Sequence, residues 1–338
     1  MIVLGLETSC DETSAAVLRH GEVRSNIISS QLVHGRYGGI VPELASRAHQ
    51  RLIVPVTDEA LRTAGVSLQD LDAVAVTCGP GLMGALLVGV NFAKALAFGL
   101  GTPLTGVNHL EGHIYSTFLS LPRPQFPFLC LIVSGGHTQL MAVEKPLSHR
   151  LLGETLDDAA GEAYDKVGKM LGLGFPGGPR IDARAREGDP DAIRFPRSLL
   201  ADDSFDFSFS GVKTAVLYWL RDRGYYRDGP AGTIPDGLLN DICAGFQAAV
   251  TDVLLQKTAA AAERFGFRDI AVAGGVSANS ELRRKLRTYA TESGRTVFFP
   301  SPEFCTDNAA MIAIAGDLRL RHGHIADLHL TAVANLPL

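Results

Sequence analysis

The sequence predicts two α/β halves, each opened by a pair of antiparallel strands with a polar tip. Three observations carry this. A strand at residues 2–6, a polar turn at 7–14 and a strand at 15–18 recur as a strand at 128–133, a turn at 134–138 and a strand at 139–143. The run from residue 71 to 107 reads strand, glycine turn, helix, strand, which is the form of a βαβ unit. A second glycine turn, Gly274-Gly275, joins a strand at 269–273 to a helix. The repeat lies in pattern, not in residue identity. With 338 residues, 46% hydrophobic and 20% charged, the chain has material for two globular domains.

The elements follow in order. After the opening hairpin, residues 23–28 form a further strand, and 42–64 form a helix with Pro42 in its first turn. The strand at 71–76 ends in Cys78-Gly79-Pro80-Gly81. The apolar run 82–100 is almost long enough to span a membrane. It carries Asn91 and Lys94, and Gly84, Gly89 and Gly99 interrupt it, so it reads as a buried helix. A strand at 103–107 leads into Val107-Asn-His-Leu-Glu-Gly-His-Ile-Tyr115, read as helix. Residues 121–127 are proline-rich and form a linker. In the second half, 153–173 has charges at helical spacing, 172–179 is a stiff glycine-bearing loop, and a helix carrying Asp182, Arg184 and Arg186 follows. Residues 187–237, polar and rich in arginine and aromatics, form an inserted, partly helical subdomain. A long helix at 238–265 precedes the 269–273 strand. The next helix starts near Ser277 and Ser280 and runs to 291. A strand at 296–299 and a helix at 309–321 complete the chain. The expected domains are 1–121, completed by a helix at about 305–322, and 128–304.

The formal net charge of −5 excludes a surface uniformly basic for nucleic acid, so such a partner must meet a local patch. Candidates are Arg180, Arg184, Arg186, Arg194 and Arg197, then Arg221, Arg223 and Arg227, then Arg283, Arg284, Lys285 and Arg287, with Tyr225 and Tyr226 placed to stack on a base. The five cysteines are scattered and odd in number, which argues for a reducing compartment. No basic segment followed by an apolar run opens the chain. A cytoplasmic protein away from the membrane is expected.

His109 and His113 lie four residues apart, on one face of a helix, one turn from each other. Two imidazoles so placed can grip one metal ion. Leu110 and Gly112 occupy the positions where a zinc-protease motif or its inverted form needs glutamate. Asp307 has two readings, an N-cap of the last helix or a third ligand. The polar hairpin tips and the glycine turns can meet a phosphate-bearing ligand through backbone N–H groups. Hairpin-opened, duplicated α/β halves flanking a cleft are the pattern of the actin, sugar-kinase and Hsp70 fold class.

Seven motifs in order carry a closer likeness. Leu6-Glu-Thr-Ser-Cys-Asp-Glu-Thr-Ser14, Asn108-His-Leu-Glu-Gly-His-Ile114, Val133-Ser-Gly-Gly-His-Thr138 and Gly161-Glu-Ala-Tyr-Asp-Lys166 come first. Phe175-Pro-Gly-Gly-Pro179, Ala273-Gly-Gly-Val-Ser-Ala-Asn279 and Thr306-Asp-Asn-Ala-Ala-Met-Ile-Ala313 follow. Together they resemble the tRNA threonylcarbamoyladenosine transferase family, in its stand-alone bacterial form. The stretch from about Asp202 to Pro235 departs from the shared pattern.

The resemblance implies transfer of a threonylcarbamoyl group from threonylcarbamoyl-AMP to N6 of the adenosine beside the anticodon of tRNAs that read ANN codons. It implies that His109, His113 and Asp307 hold one divalent ion, Fe2+ or Zn2+. It implies that Ile132, Val133, Ser134, Gly135, Gly136, Asp165, Gly178, Asp182 and Asn279 hold the adenylate, in the donor or in an ATP or ADP analogue. The implied partners are tRNA, a smaller paralogue lacking the histidines and a P-loop ATPase. Asp11 and Glu12 are the expected residues near the reacting amine. Two other functions remain open at this level: a metal-dependent glycoprotein endopeptidase and a non-catalytic, ATP-binding scaffold.

Overall fold

A computed structural model describes residues 1–31, 34, 39–198, 203–227, 229, 230 and 232–338. Asp202, where the divergent stretch was expected to begin, lies outside these. The chain forms two compact units, Met1–Arg123 with Pro300–Leu338, and Pro124–Phe299.

The first unit is built on a five-stranded sheet. Its strands are β1 (Ile2–Glu7), β2 (Glu12–Arg19), β3 (Glu22–Ser30), β4 (Ala73–Gly79) and β5 (Leu104–Asn108), in the order β3-β2-β1-β4-β5. β1 to β3 form an antiparallel meander, and β4 and β5 add in parallel beside β1. Strands covered on both faces read as continuous apolar runs, and Val3 to Glu7 are all buried. Leu4 and Leu6 belong to the core with residues of α1 (Pro42–Ala64) and α2 (Met83–Leu100). Gly5 points the other way, against the last helix, α9 (Ala309–Arg321), where a Cβ would collide with the Ala309 carbonyl. Glu7 shares the parity of Gly5. The short helix α3 (His109–Ser116) leaves the end of β5 and packs on α9.

The second unit repeats the plan. Its strands are β6 (Phe128–Val133), β7 (Thr138–Lys145), β8 (Ser148–Glu154), β9 (Asp269–Ala273) and β10 (Thr296–Phe298), in the order β10-β9-β6-β7-β8. Again an antiparallel meander of three is extended by two parallel strands. The helices are α4 (Ala160–Met170), α5 (Gly177–Ala185), α6 (Ser210–Asp222), α7 (Asp236–Phe265) and α8 (Ser280–Ser293).

Several local expectations change. β8 is an edge strand with little alternation, and sequence reading passed it over. The helical segment expected from 153 starts only at Ala160, because Asp157 instead accepts hydrogen bonds from the backbone N–H groups of Phe209 and Ser210 and so starts α6. The expected loop 172–179 stops early, since Gly177, Gly178 and Pro179 already belong to α5. α8 is capped by Asn279, whose side chain accepts from Leu282 N–H, not by Ser277. Within the expected inserted subdomain, Phe195, Phe207, Phe209, Val212, Val216 and Leu220 are buried in the same core as α4 and α7.

Helices α2 and α7 are long and apolar enough to cross a membrane by length and composition. Most of α7's apolar window, 78%, is buried in its own unit, as a core helix is. α2 was expected to be a buried, close-packed helix. It buries one stripe, Ala85, Leu86, Gly89, Val90, Ala93 and Ala97, and exposes Met83, Leu87 and Phe98.

Candidate metal centre and glycine-lined site

The first unit assembles its polar site from chain segments far apart in sequence. Asn108 ends β5 and caps α3 by accepting from Leu110 N–H. That cap fixes where the helix starts and so sends His109 and His113 inward, one turn apart, both buried. Asp307 arrives just before α9. Its place as an N-cap is taken by Asn308, whose side chain accepts from Met311 N–H. The Asp307 carboxylate is therefore free to meet the histidines. Its Oδ1 lies 3.5 Å from His109 Nε2 and 3.2 Å from His113 Nε2.

These separations suit ligands of one ion. Two atoms bound at about 2.0–2.1 Å in tetrahedral directions sit roughly 3.3–3.4 Å apart. Among the described residues, this is the group of His, Cys, Asp and Glu side chains whose ligand atoms converge, all within 4.8 Å of one another. Among the described residues, Nδ1 of fully buried His113 has no hydrogen-bond partner, and its Nε2 faces only the Asp307 carboxylate; a buried polar atom left so is costly unless something occupies its lone pair. The charges agree. Burial opposes charge on Glu7, His109 and Asp307 alike. Even so, the carboxylates of Asp307 and Glu7 hold His109 well above the usual imidazole range, and the histidines hold Asp307 well below the usual carboxylate range. Burial, with Asp307 and Asp11 beside it, pushes the Glu12 carboxyl up to about 10. Carboxylates held anionic beside buried imidazoles favour a bound cation.

Around this group lie Glu7, Ser9 and Thr77. Glu7 Oε2 is 3.0 Å from His109 Nδ1 and accepts from Thr77 Oγ1 at 2.7 Å. Ser9 Oγ is 3.1 Å from the same Nδ1. Sequence reading put Glu7 in a polar turn. The available signal was a carboxylate extending a wholly apolar strand by one residue. Asp11 and Glu12 sit at the hairpin tip, with Glu12 already in β2. Burial, with the charges of Asp307 and Asp11, pushes the neighbouring Cys10 thiol up. Glu111 is buried and ion-paired with Arg319 of α9 at 2.9 Å. It ties α3 to α9, and so is not placed to activate a water.

The second unit gathers its candidates at the carboxyl ends of β6 and β9. Ile132 and Val133 are core residues of β6. The turn after them is closed by Ser134 N–H to the His137 carbonyl, and leaves Gly135 and Gly136 open. The Ser134 carbonyl accepts from Gly161 N–H at the start of α4. Asp165 accepts from Gly177 N–H at 2.7 Å, which sets the first turn of α5, with Gly178 beside it. Asp182 accepts from both the N–H and the hydroxyl of Ser280 and pairs with Arg186. Asn279 donates to Gln247 Oε1 at 2.7 Å. All nine thus belong to one connected region of this unit, with the carboxylates of Asp165 and Asp182 and the amide of Asn279 already engaged by the chain. Gly274, after β9, has φ +91 and lies against Val133 and Ser134, where a side chain would be strained and crowded.

Of the basic candidates, Arg184, Arg186, Arg194, Arg197, Arg284 and Lys285 are ion-paired. Arg223 stacks on Trp219, and Arg283 and Arg287 on Phe299. Tyr225 and Tyr226, expected as stacking platforms, pack half-buried against the core.

A family profile described as "TsaD: tRNA N6-adenosine threonylcarbamoyltransferase" matches residues 22–314. The chain is 54% identical over 340 residues to a protein of that name from Geotalea uraniireducens, covering 100% of this chain and 97% of the relative. It is 56% identical over 325 residues to one from Salinibacter ruber, covering 96% of each. The chain belongs to the tRNA N6-adenosine threonylcarbamoyltransferase family. Solved structures with similar folds include HypF of T. kodakarensis, at TM-score 0.63 and 14% identity, covering 95% of this chain. The chain spans about half of that protein, 48%. The activator of 2-hydroxyisocaproyl-CoA dehydratase from Clostridium difficile, with bound ADPNP, matches at TM-score 0.53 and 13% identity over 97% of this chain and 99% of its own. These likenesses bear on the fold, two α/β units of actin-like topology.

Proposed function

We propose that the protein transfers a threonylcarbamoyl group from threonylcarbamoyl-AMP to N6 of the adenosine beside the anticodon of tRNAs that read ANN codons. The observation that carries this is the convergence of His109, His113 and Asp307 in a member of this family. Those three residues would hold one divalent ion, Fe2+ or Zn2+, both of which accept imidazole and carboxylate. When bound, the ion supplies Lewis-acid polarisation of the donor's carbonyl oxygen.

The rest falls to the chain. The N6 nitrogen attacks the carbonyl carbon, a C–N bond forms, the C–O bond to AMP breaks, and one amine proton must leave. An exocyclic amine is a weak nucleophile, so positioning and proton acceptance both count. We assign these to the hairpin tip. Glu12 positions the amine, and Asp11 accepts the proton. In the second unit, the Ser134-Gly135-Gly136 turn, built on Ile132 and Val133, offers backbone N–H groups to a phosphate. The start of α5 at Gly178 does the same. Asp165 and Asp182 have lone pairs beyond those already used and accept from ribose hydroxyls or the adenine amine. Asn279 shapes the region by starting α8. The proposed partners are tRNA, a smaller paralogue and a P-loop ATPase, in the cytoplasm. The apolar face that α2 exposes through Met83, Leu87 and Phe98 suits a protein partner.

The test is a nucleoside digest of tRNA from cells depleted of this protein and complemented with variants. Threonylcarbamoyladenosine should disappear on depletion. It should return with the wild-type chain and stay absent with His109→Ala/His113→Ala at equal protein level. Asp11→Ala should lower it strongly. Restoration by the double variant would exclude the metal-site reading, and full restoration by Asp11→Ala would exclude that residue's role.

A further inference from the structure

Glu7 ends β1 with its side chain fully buried. Its hydrogen-bond neighbours among the described residues can all donate. Oε1 accepts from the backbone N–H of Ser9 at 2.5 Å, and Oε2 accepts from Thr77 Oγ1 at 2.7 Å. The third neighbour of this set is His109 Nδ1, 3.0 Å from Oε2. A carboxylate so placed requires hydrogen on Nδ1. A neutral imidazole with Nδ1–H has its lone pair on Nε2. In His109, Nε2 is the nitrogen that faces Asp307 Oδ1, the oxygen His113 Nε2 also faces.

We propose that Glu7 is a positioning residue for metal ligation, anchored by Ser9 and Thr77, which fixes the ring of His109 and holds it in the tautomer whose Nε2 can bind an ion. It acts through His109 and touches no substrate. The inference rests on the reading that His109, His113 and Asp307 hold a divalent ion, and does not depend on which reaction they serve.

Glu7→Gln separates positioning from mere packing, because it keeps shape and removes one acceptor. A carboxamide facing donors on both sides must turn its NH2 toward one of them. Turned toward His109, it demands an accepting Nδ1, which moves the hydrogen to Nε2 and closes the ligand. Turned toward Ser9, it opposes the N–H that anchors the strand end. Thr77→Val removes a donor at Oε2 and should act in the same direction more weakly.

The experiment is titration of the metal-free full chain with Co2+, read by its visible absorption, alongside thermal unfolding without metal. Wild type should bind one ion. Glu7→Gln should bind about tenfold to hundredfold more weakly, the range found when the hydrogen-bond partner of a ligating histidine is removed. Thr77→Val should fall between. In wild type loaded with Zn2+ and labelled at histidine nitrogen, His109 should show a downfield Nδ1–H proton. Wild-type affinity in folded Glu7→Gln, or a His109 that carries its hydrogen on Nε2 in the Zn2+-loaded wild type, would overturn the proposal. Failure of wild type itself to bind Co2+ would overturn the site reading, and the proposal with it.

Discussion

Asp307 and Asn308 are neighbours with separate tasks, and substitution should separate them. Asn308→Ala removes the cap of α9, which costs roughly 1–2 kcal/mol of stability. Metal affinity should persist in the folded fraction. Asp307→Ala leaves the cap intact and should abolish tight Co2+ binding in the folded protein. Thermal unfolding and Co2+ titration of both variants check this. At this scale the sequence was informative where chemistry is local. His109 and His113 are legible because helical spacing alone puts them on one face. Asp307 was ambiguous, because an aspartate before a helix has the look of a cap, and only the Asn308 side chain decides the matter. Glu7 was not legible as a partner of His109, since their pairing joins β1 to α3 across about a hundred residues of chain. Glu111 was set aside as a protease base on spacing, and the fold gives it a different partner, Arg319.

At the scale of elements, the site depends on how closely α9 lies on β1. A Cβ on Gly5 would overlap the Ala309 carbonyl and sit 2.8 Å from Ala313 N. Both are backbone atoms of α9, so the helix that follows Asp307 must move. Gly5→Ala should cost about 1–3 kcal/mol or more and weaken metal binding beyond what the stability loss explains. Gly112→Ala is the contrast. Its Cβ would meet the end of the Ile312 side chain at 2.8 Å, which can rotate, and alanine favours a helix. Unfolding should stay within about 1 kcal/mol of wild type. In the second unit, Asp158 pairs with Lys166 and with Lys213 of α6, both at 2.7 Å. Burial raises this carboxyl, but the two lysines prevail and hold it below its ordinary 3.8. A depressed pKa means stabilisation that is complete above 3.8 and fades as pH falls through the folded value. Unfolding followed below about pH 4 should lose this contribution, and Asp158→Asn should lack that part of the acid dependence. Long elements with clear apolar period or capping, such as α1 and α9, were legible to the residue. β8 and the start of α4 were not, because an edge strand alternates weakly and Asp157 is recruited to another helix.

For the whole molecule, the repeated strand–turn–strand pattern was the legible part of the architecture, and the two sheets do share one strand order. What the pattern could not supply is the third strand of the second meander, or that residues 187–237 help fill the second core. The acidic net charge and the many ion-paired arginines place the tRNA question on local surfaces, where binding should weaken steeply with salt. The most direct measurement of the central claim is an add-back assay. An extract depleted of this chain is given unmodified tRNA, labelled threonine, bicarbonate and ATP, and the tRNA is digested to nucleosides. The purified wild-type chain should restore labelled threonylcarbamoyladenosine, and the Asp307→Ala chain should not. Restoration by Asp307→Ala at the wild-type rate, or no label in the tRNA with wild type, would contradict the account.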